Sequence, residues 1–233
     1  MTDDHSAPTI FRRRIRSFVL RTGRMTSGQQ RAMDDLWSHF GVDYTQQCLD
    51  FDKLFSRHAP RMIEIGFGTG EALLQFAQSH PDMDCLGIEV HRPGAGHLLL
   101  QMQTTGVNNI RVSCHDAVEV LTHQIPANSI DAIHIFFPDP WHKTRHHKRR
   151  LIQPAFADQM ARALKTGGSL RLATDWQDYA NHMRAVLDKH LAFKNIAGTA
   201  GFVARPDHRP LTRFERRGHR LGHGVWDMEY VKA

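Results

Sequence analysis

Cysteine is scarce in this chain: Cys48, Cys85 and Cys114 stand far apart, with no Cys-x-x-Cys among them. Neither a disulfide framework nor a zinc ribbon fits that set, and reduced thiols in a cytoplasmic protein are expected. Long apolar runs are missing too. The stretch 133–137 is interrupted by His134 and too short to span a bilayer, and the opening MTDDHSAPTIF has no apolar signal core. There is no internal repeat and no low-complexity segment. The length of 233 residues suits one domain, or one domain plus an arm, with a core large enough to need no metal or disulfide.

Acidic residues are absent where basic ones cluster. Segment 12–24 carries six Arg and no acid, 142–150 carries five Lys/Arg and no acid, and 205–220 carries six Arg against Asp207 and Glu215. Since the whole chain is only +6, these segments at +15 leave −9 for the rest. A basic surface on an acidic body is the footprint of a polyanion binder, because each cation placed on a phosphate releases condensed counterions.

The first 45 or so residues read as a basic arm with a short helix, opened by a capping box of Ser27 and Gln30 and ended by Gly41; residues 46–233 form the main domain. From Arg61 onward short apolar strands (61–65, 85–90, 110–113, 129–137, 169–174) alternate with amphipathic helices (70–79, 96–104, 117–124, 151–164, 176–190). That alternation predicts an α/β, Rossmann-like fold: a mostly parallel sheet with helices on both faces. Residues 204–224 read as a functional loop before a closing strand at 226–231.

In such sheets ligands lie beyond the carboxyl ends of the strands. The first strand carries Glu64 and runs into Gly66, Gly68 and Gly70, whose Gly-x-Gly-x-Gly spacing differs from a pyrophosphate-binding fingerprint and weakens a nicotinamide reading. A carboxylate inside an apolar strand is costly, which favours contact between Glu64 and the amino-acid end of a cofactor. Glu89 ends the second strand, placed to accept from ribose hydroxyls. Asp116 follows the third, as acceptor for an adenine amine, as an N-cap, or as both, since the two roles can coexist. The fourth strand delivers Phe136-Phe137-Pro138-Asp139-Pro140-Trp141 and then Lys143, Arg145, His146, His147, Lys148, Arg149 and Arg150. Two prolines stiffen the turn around Asp139, Trp141 serves either core packing or base contact, and the cations suit phosphates. The pairs His142/His146 and His219/His223 sit in loops without cysteine partners, so no metal is expected; partly protonated histidines on an RNA-facing surface are expected instead.

With these residues in view, the chain resembles the bacterial, single-subunit tRNA (guanine-N(7)-)-methyltransferases. The likeness runs from Arg61 to Val231 through IEIGFGTG, LGIEVH, CHDAVEVL, FFPDPWHKTRHHKRR, ATDW and RPLTRFERRGHRLGHGVWD. It implies a class I S-adenosylmethionine-dependent methyltransferase with cofactor contact by Glu64, Glu89, Asp116 and Asp139. It also implies substrate contact by Lys143, Asp175, Thr212, Arg213, Phe214 and Glu215, and RNA contact across residues 145–150. The implied partner is tRNA, methylated on a variable-loop guanine; apart from the resemblance, no membrane partner is expected, and the enzyme is expected to be a monomer or homodimer. Guanine N(7) has an in-plane lone pair and no proton, so Asp139 is expected as a positioning and electrostatic residue rather than a base. The rival readings are a nicotinamide oxidoreductase, a non-catalytic RNA-binding module, and an amino-group methyltransferase. The last resemble one another through an Asn- or Asp-Pro-Pro-aromatic turn where this chain has Pro-Asp-Pro-Trp.

Overall fold

The computed structural model describes residues 16–19, 23–206, 209 and 224–233. Among them, β1 (Arg61–Ile65), β2 (Asp84–Ile88), β3 (Ile110–Ser113), β4 (Ile130–Phe136), β5 (Leu164–Thr174), β6 (Phe193–Asn195) and β7 (Trp226–Lys232) form one sheet. The strand order is β3-β2-β1-β4-β5-β7-β6. The first five strands pair in parallel, and β7 runs antiparallel between β5 and β6. The order turns about β1 and β4, which opens a crevice at their carboxyl ends.

Side chains alternate across the strands and feed two apolar layers. Ile63, Ile65, Ile133, Ile135 and Leu172 face α2 (Phe51–Phe55), α5 (Ala117–His123), α6 (Pro154–Ala163) and α7 (Gln177–Leu187). Met62, Cys85, Ile110, Val112 and Ala132 face α1 (Ser27–Phe40), α3 (Glu71–Ser79) and α4 (Arg92–Thr105). Burying each such Leu, Ile or Met contributes roughly 1.5–3 kcal/mol relative to exposure. No helix among the described residues is long and apolar enough to cross a membrane.

Several local expectations shift by a residue or more. The capping box is Thr26 with Gln29: the Thr26 hydroxyl accepts from Gln29 N–H at 3.2 Å, and Gln29 Oε1 accepts from Thr26 N–H at 2.8 Å. Ser27 is therefore the first helical residue. The helix does not stand off as an appendage, since Ala32 and Met33 are buried with α4 residues, and Gly41 bridges to Val112 on β3. α6 starts at Pro154 rather than at 151, since a proline at the first helical position needs no N–H partner. It ends at Ala163 because Leu164 already pairs with Ile130, and the glycine turn at 167–168 lies inside β5 where the register shifts.

Candidate active site

Beyond β1 the backbone reverses through Gly66, Gly68 and Gly70, which all take positive φ (75°, 59° and 81°), a region glycine enters without steric cost. Gly66 N–H donates to the Ile88 carbonyl (2.8 Å) and Gly70 N–H to the Phe67 carbonyl (2.8 Å), so the loop is tied to β2 and folded on itself. α4 approaches this loop closely at Gly94, where an added Cβ would overlap the Gly68 carbonyl oxygen. Two helical glycines, 94 and 96, depress helix propensity and obscure the start of α4, which Pro93 in its first turn reveals.

Glu89 closes the same loop from β2. Its carboxylate accepts from the N–H groups of Gly68 (2.9 Å), Val90 (2.8 Å) and His91 (2.9 Å). A carboxylate offers about four lone-pair sites, so an acceptor site remains for a ligand hydroxyl. Glu64 differs. It is 3 % exposed, and its Oε2 has no hydrogen-bond partner among the described residues. Burial first, and the negative charge of Glu89 second, push its pKa up to about 8. A cavity of about 570 Å³ lies against it, lined by Glu64, Gly66, Phe67, Gly68, His91, Phe137 and neighbours, a volume suited to a small molecule. Gln29, His91 and Pro93 also line it. Sequence reasoning missed these three, because α1 carries Gln29 there only through packing on α4. Asp116 caps α5, accepting from Val118 N–H at 3.0 Å; the capping alternative is thus realised, with its other oxygen not engaged in that bond.

The segment after β4 is stiff and strained. Phe137 and Trp141 hold φ of 52° and 50°, a left-handed conformation that costs a bulky residue about 1–2 kcal/mol. Between them Pro138 and Pro140 restrict the exposed Asp139. Phe137 N–H is fixed on the Ala173 carbonyl (2.8 Å), near the end of β5, and half-buried Asp175 follows two residues later. The two acids thus stand at the ends of adjacent strands.

The basic run divides into two populations. Lys143, Arg145 and Lys148 are exposed on and beside a 3-10 turn, Thr144–Arg149. Arg149 stacks on Trp141 at 4.0 Å and donates to the carbonyls of Arg16 and Phe18, both at 3.1 Å. Trp141 Nε1–H donates to the Ser17 carbonyl at 3.0 Å. Trp141 thus has a structural use that neither expectation included: with Arg149 it holds residues 16–18 of the basic arm. Arg150 is 3 % exposed, and its Nε and Nη2 donate inside the protein. His147 Nε2 accepts from Arg150 at 3.0 Å, which requires that nitrogen to be unprotonated. Desolvation first, and Arg145, Arg149, Lys143 and Lys148 after it, hold His146 below the usual histidine pKa. Thr212, Arg213, Phe214, Glu215 and the His219/His223 pair lie outside the described residues.

A family profile described as "Putative methyltransferase" matches residues 58–228. The chain is 54% identical over 221 residues to a tRNA (guanine-N(7)-)-methyltransferase of Photobacterium profundum, covering 95% of this chain and 90% of that protein. A protein of the same name from Shewanella amazonensis is 47% identical over 232 residues, covering 100% of this chain and 98% of its own. Among solved structures, the 16S rRNA methyltransferase KamB is 16% identical with a TM-score of 0.60, covering 82% of this chain and 97% of that one. At that identity the likeness concerns the fold.

Proposed function

Because the chain belongs to the tRNA (guanine-N(7)-)-methyltransferase family, we propose that it transfers a methyl group from S-adenosylmethionine to N(7) of a guanine in the variable loop of tRNA. The observation that carries the cofactor assignment is Glu64. A buried carboxylate oxygen with an open acceptor site, in the wall of a small-molecule cavity, matches an ammonium group, and the amino-acid end of S-adenosylmethionine supplies one. Glu89 then serves the ribose hydroxyls, Asp116 the adenine amine, and the backbone at Gly66 and Gly68 gives close approach. When bound, the cofactor supplies a sulfonium methyl group as electrophile.

The residues of this chain have no proton to remove, because guanine N(7) presents a bare lone pair. Asp139 is the catalytic residue in the sense that it touches the reacting base. With Asp175 and Glu215 it accepts from the guanine ring and amino N–H groups, holds the N(7) edge in line, and offsets the positive charge that the base acquires. Orientation of this kind contributes on the order of 7–11 kcal/mol to rate enhancement. Lys143, Arg145 and Lys148 hold the RNA backbone, and Thr212, Arg213 and Phe214 complete the substrate contacts. The test is incubation of unmodified tRNA with methyl-labelled cofactor, followed by nucleoside analysis. Label on N(7)-methylguanosine is expected; label confined to an exocyclic amine, or no label, refutes the assignment.

A further inference from the structure

Arg150 belongs by position to the basic run, yet its surroundings are those of a brace. Its side chain is 1 % exposed. Nε donates to the Pro140 carbonyl at 2.9 Å, and Nη2 donates to Asp178 Oδ2 and to His147 Nε2. The guanidinium lies over the Tyr179 ring at 4.9 Å, a cation–π contact that strengthens when desolvated. α7 grips the same stretch beside it: Tyr179 Oη accepts from Ile152 N–H at 3.2 Å, and His182 Nε2 meets the Ile152 carbonyl at 2.8 Å. The hydrogen bond from Arg150 is the leading cause that holds the Asp178 carboxyl below its usual pKa, so the pair stays charged at neutral pH.

The two ends of this brace are informative. Pro140 is next to Asp139, and Asp178, in the first turn of α7, is three residues beyond Asp175, which lies in the bend between β5 and that helix. We infer that Arg150 is a positioning residue, not a phosphate contact: by joining the Pro140 carbonyl to Asp178 it sets the spacing between the two loops that carry Asp139 and Asp175, and so the geometry in which guanine is held. Arginine suits the task because its planar fork serves two acceptors in different directions, which a lysine ammonium on a flexible stem does not reproduce. The inference rests on the activity proposed above.

The test compares Arg150→Met, Arg150→Lys and Asp178→Asn with Lys148→Ala, all in the full chain. Three quantities are read: the single-turnover methyl-transfer rate at saturating tRNA and cofactor, the salt dependence of tRNA affinity, and the melting temperature. Misplacement by about 1 Å costs on the order of 100-fold in rate. Arg150→Met should show a loss of that size with the wild-type salt slope, Arg150→Lys an intermediate loss, and Asp178→Asn a smaller loss because the Pro140 bond survives. Lys148→Ala should lower the salt slope by about one. A slope lowered by about one in Arg150→Met, with the saturated rate intact, would make Arg150 a phosphate contact and overturn the inference. So would a lowered melting temperature with an unchanged saturated rate, the mark of a merely structural role. If Arg150→Met does not fold, the other two variants decide on the same criteria. Failure of the wild type to form N(7)-methylguanosine is a separate result that refutes the activity and not the bracing geometry.

Discussion

The charge state of Glu64 should control cofactor affinity across the neutral range. In the ligand-free protein its pKa is raised from an ordinary 4.5 to about 8, chiefly by burial, so at pH 7 roughly nine molecules in ten hold it protonated. An ammonium group requires the ionised form, so binding at pH 7 must expel close to one proton. Affinity should rise about tenfold per pH unit from pH 6 towards 8 and flatten above, at about 1.4 kcal/mol per unit. Titration calorimetry with S-adenosylhomocysteine, in buffers of contrasting ionisation enthalpy, measures both slope and proton release. Stability has the opposite sign. The folded state keeps a proton that the unfolded chain gives up, so this contribution is complete below pH 4.5 and lost as pH rises to about 8. The full span is on the order of 5 kcal/mol. Glu64→Gln should therefore melt several degrees above wild type at pH 8.5 while binding S-adenosylhomocysteine at least tenfold more weakly. A flat affinity between pH 6 and 8 without proton release would falsify the role given to Glu64.

Three further outcomes are expected. Gly94→Ala pushes a methyl group into the Gly68 carbonyl and should cost about 1–3 kcal/mol of stability, with a loss of S-adenosylhomocysteine affinity of tenfold or more by calorimetry; near-wild-type values on both counts refute the close approach. Replacing the exposed Lys143, Arg145 and Lys148 together should reduce the salt slope of tRNA binding by up to about three, seen in filter-binding isotherms; an unchanged slope removes them from the RNA surface. Trp141→Phe keeps an aromatic ring, though a smaller one, and deletes the N–H that holds the Ser17 carbonyl. Losing one such bond, worth about 0.5–1.5 kcal/mol, should speed tryptic cleavage after Arg16 by roughly 2- to 10-fold, and an unchanged rate argues against the latch.

What could be read from the sequence was what is periodic or local. The parallel strands, the glycine reversal after β1 and the acids at strand ends follow from alternation and spacing, and β1 and β3 have the bounds expected of them. The five-residue α2 and three-residue β6 are too short to carry a period. Long-range uses of a residue were hidden as well. Nothing local separates Arg150 from Lys148, two positions earlier: one is buried against a helix that starts 27 residues on, the other exposed. Trp141 likewise takes its partner from Ser17, which lies 124 positions away.

The place of β7 has a consequence for how the protein is made. Among the described residues β6 pairs only with β7, and β7 pairs also with β5. During synthesis β6 must wait, unpaired, until residues 226–232 have left the ribosome, and β5 presents an open edge for the same interval. Asp227, on that late strand, also receives the guanidinium of Arg209 through two bonds of 2.8 Å, so Arg209 too is anchored only once β7 has been made. A nascent chain halted before residue 226 therefore has an exposed sheet edge and leaves Arg209 without its Asp227 partner, and only later translation supplies both.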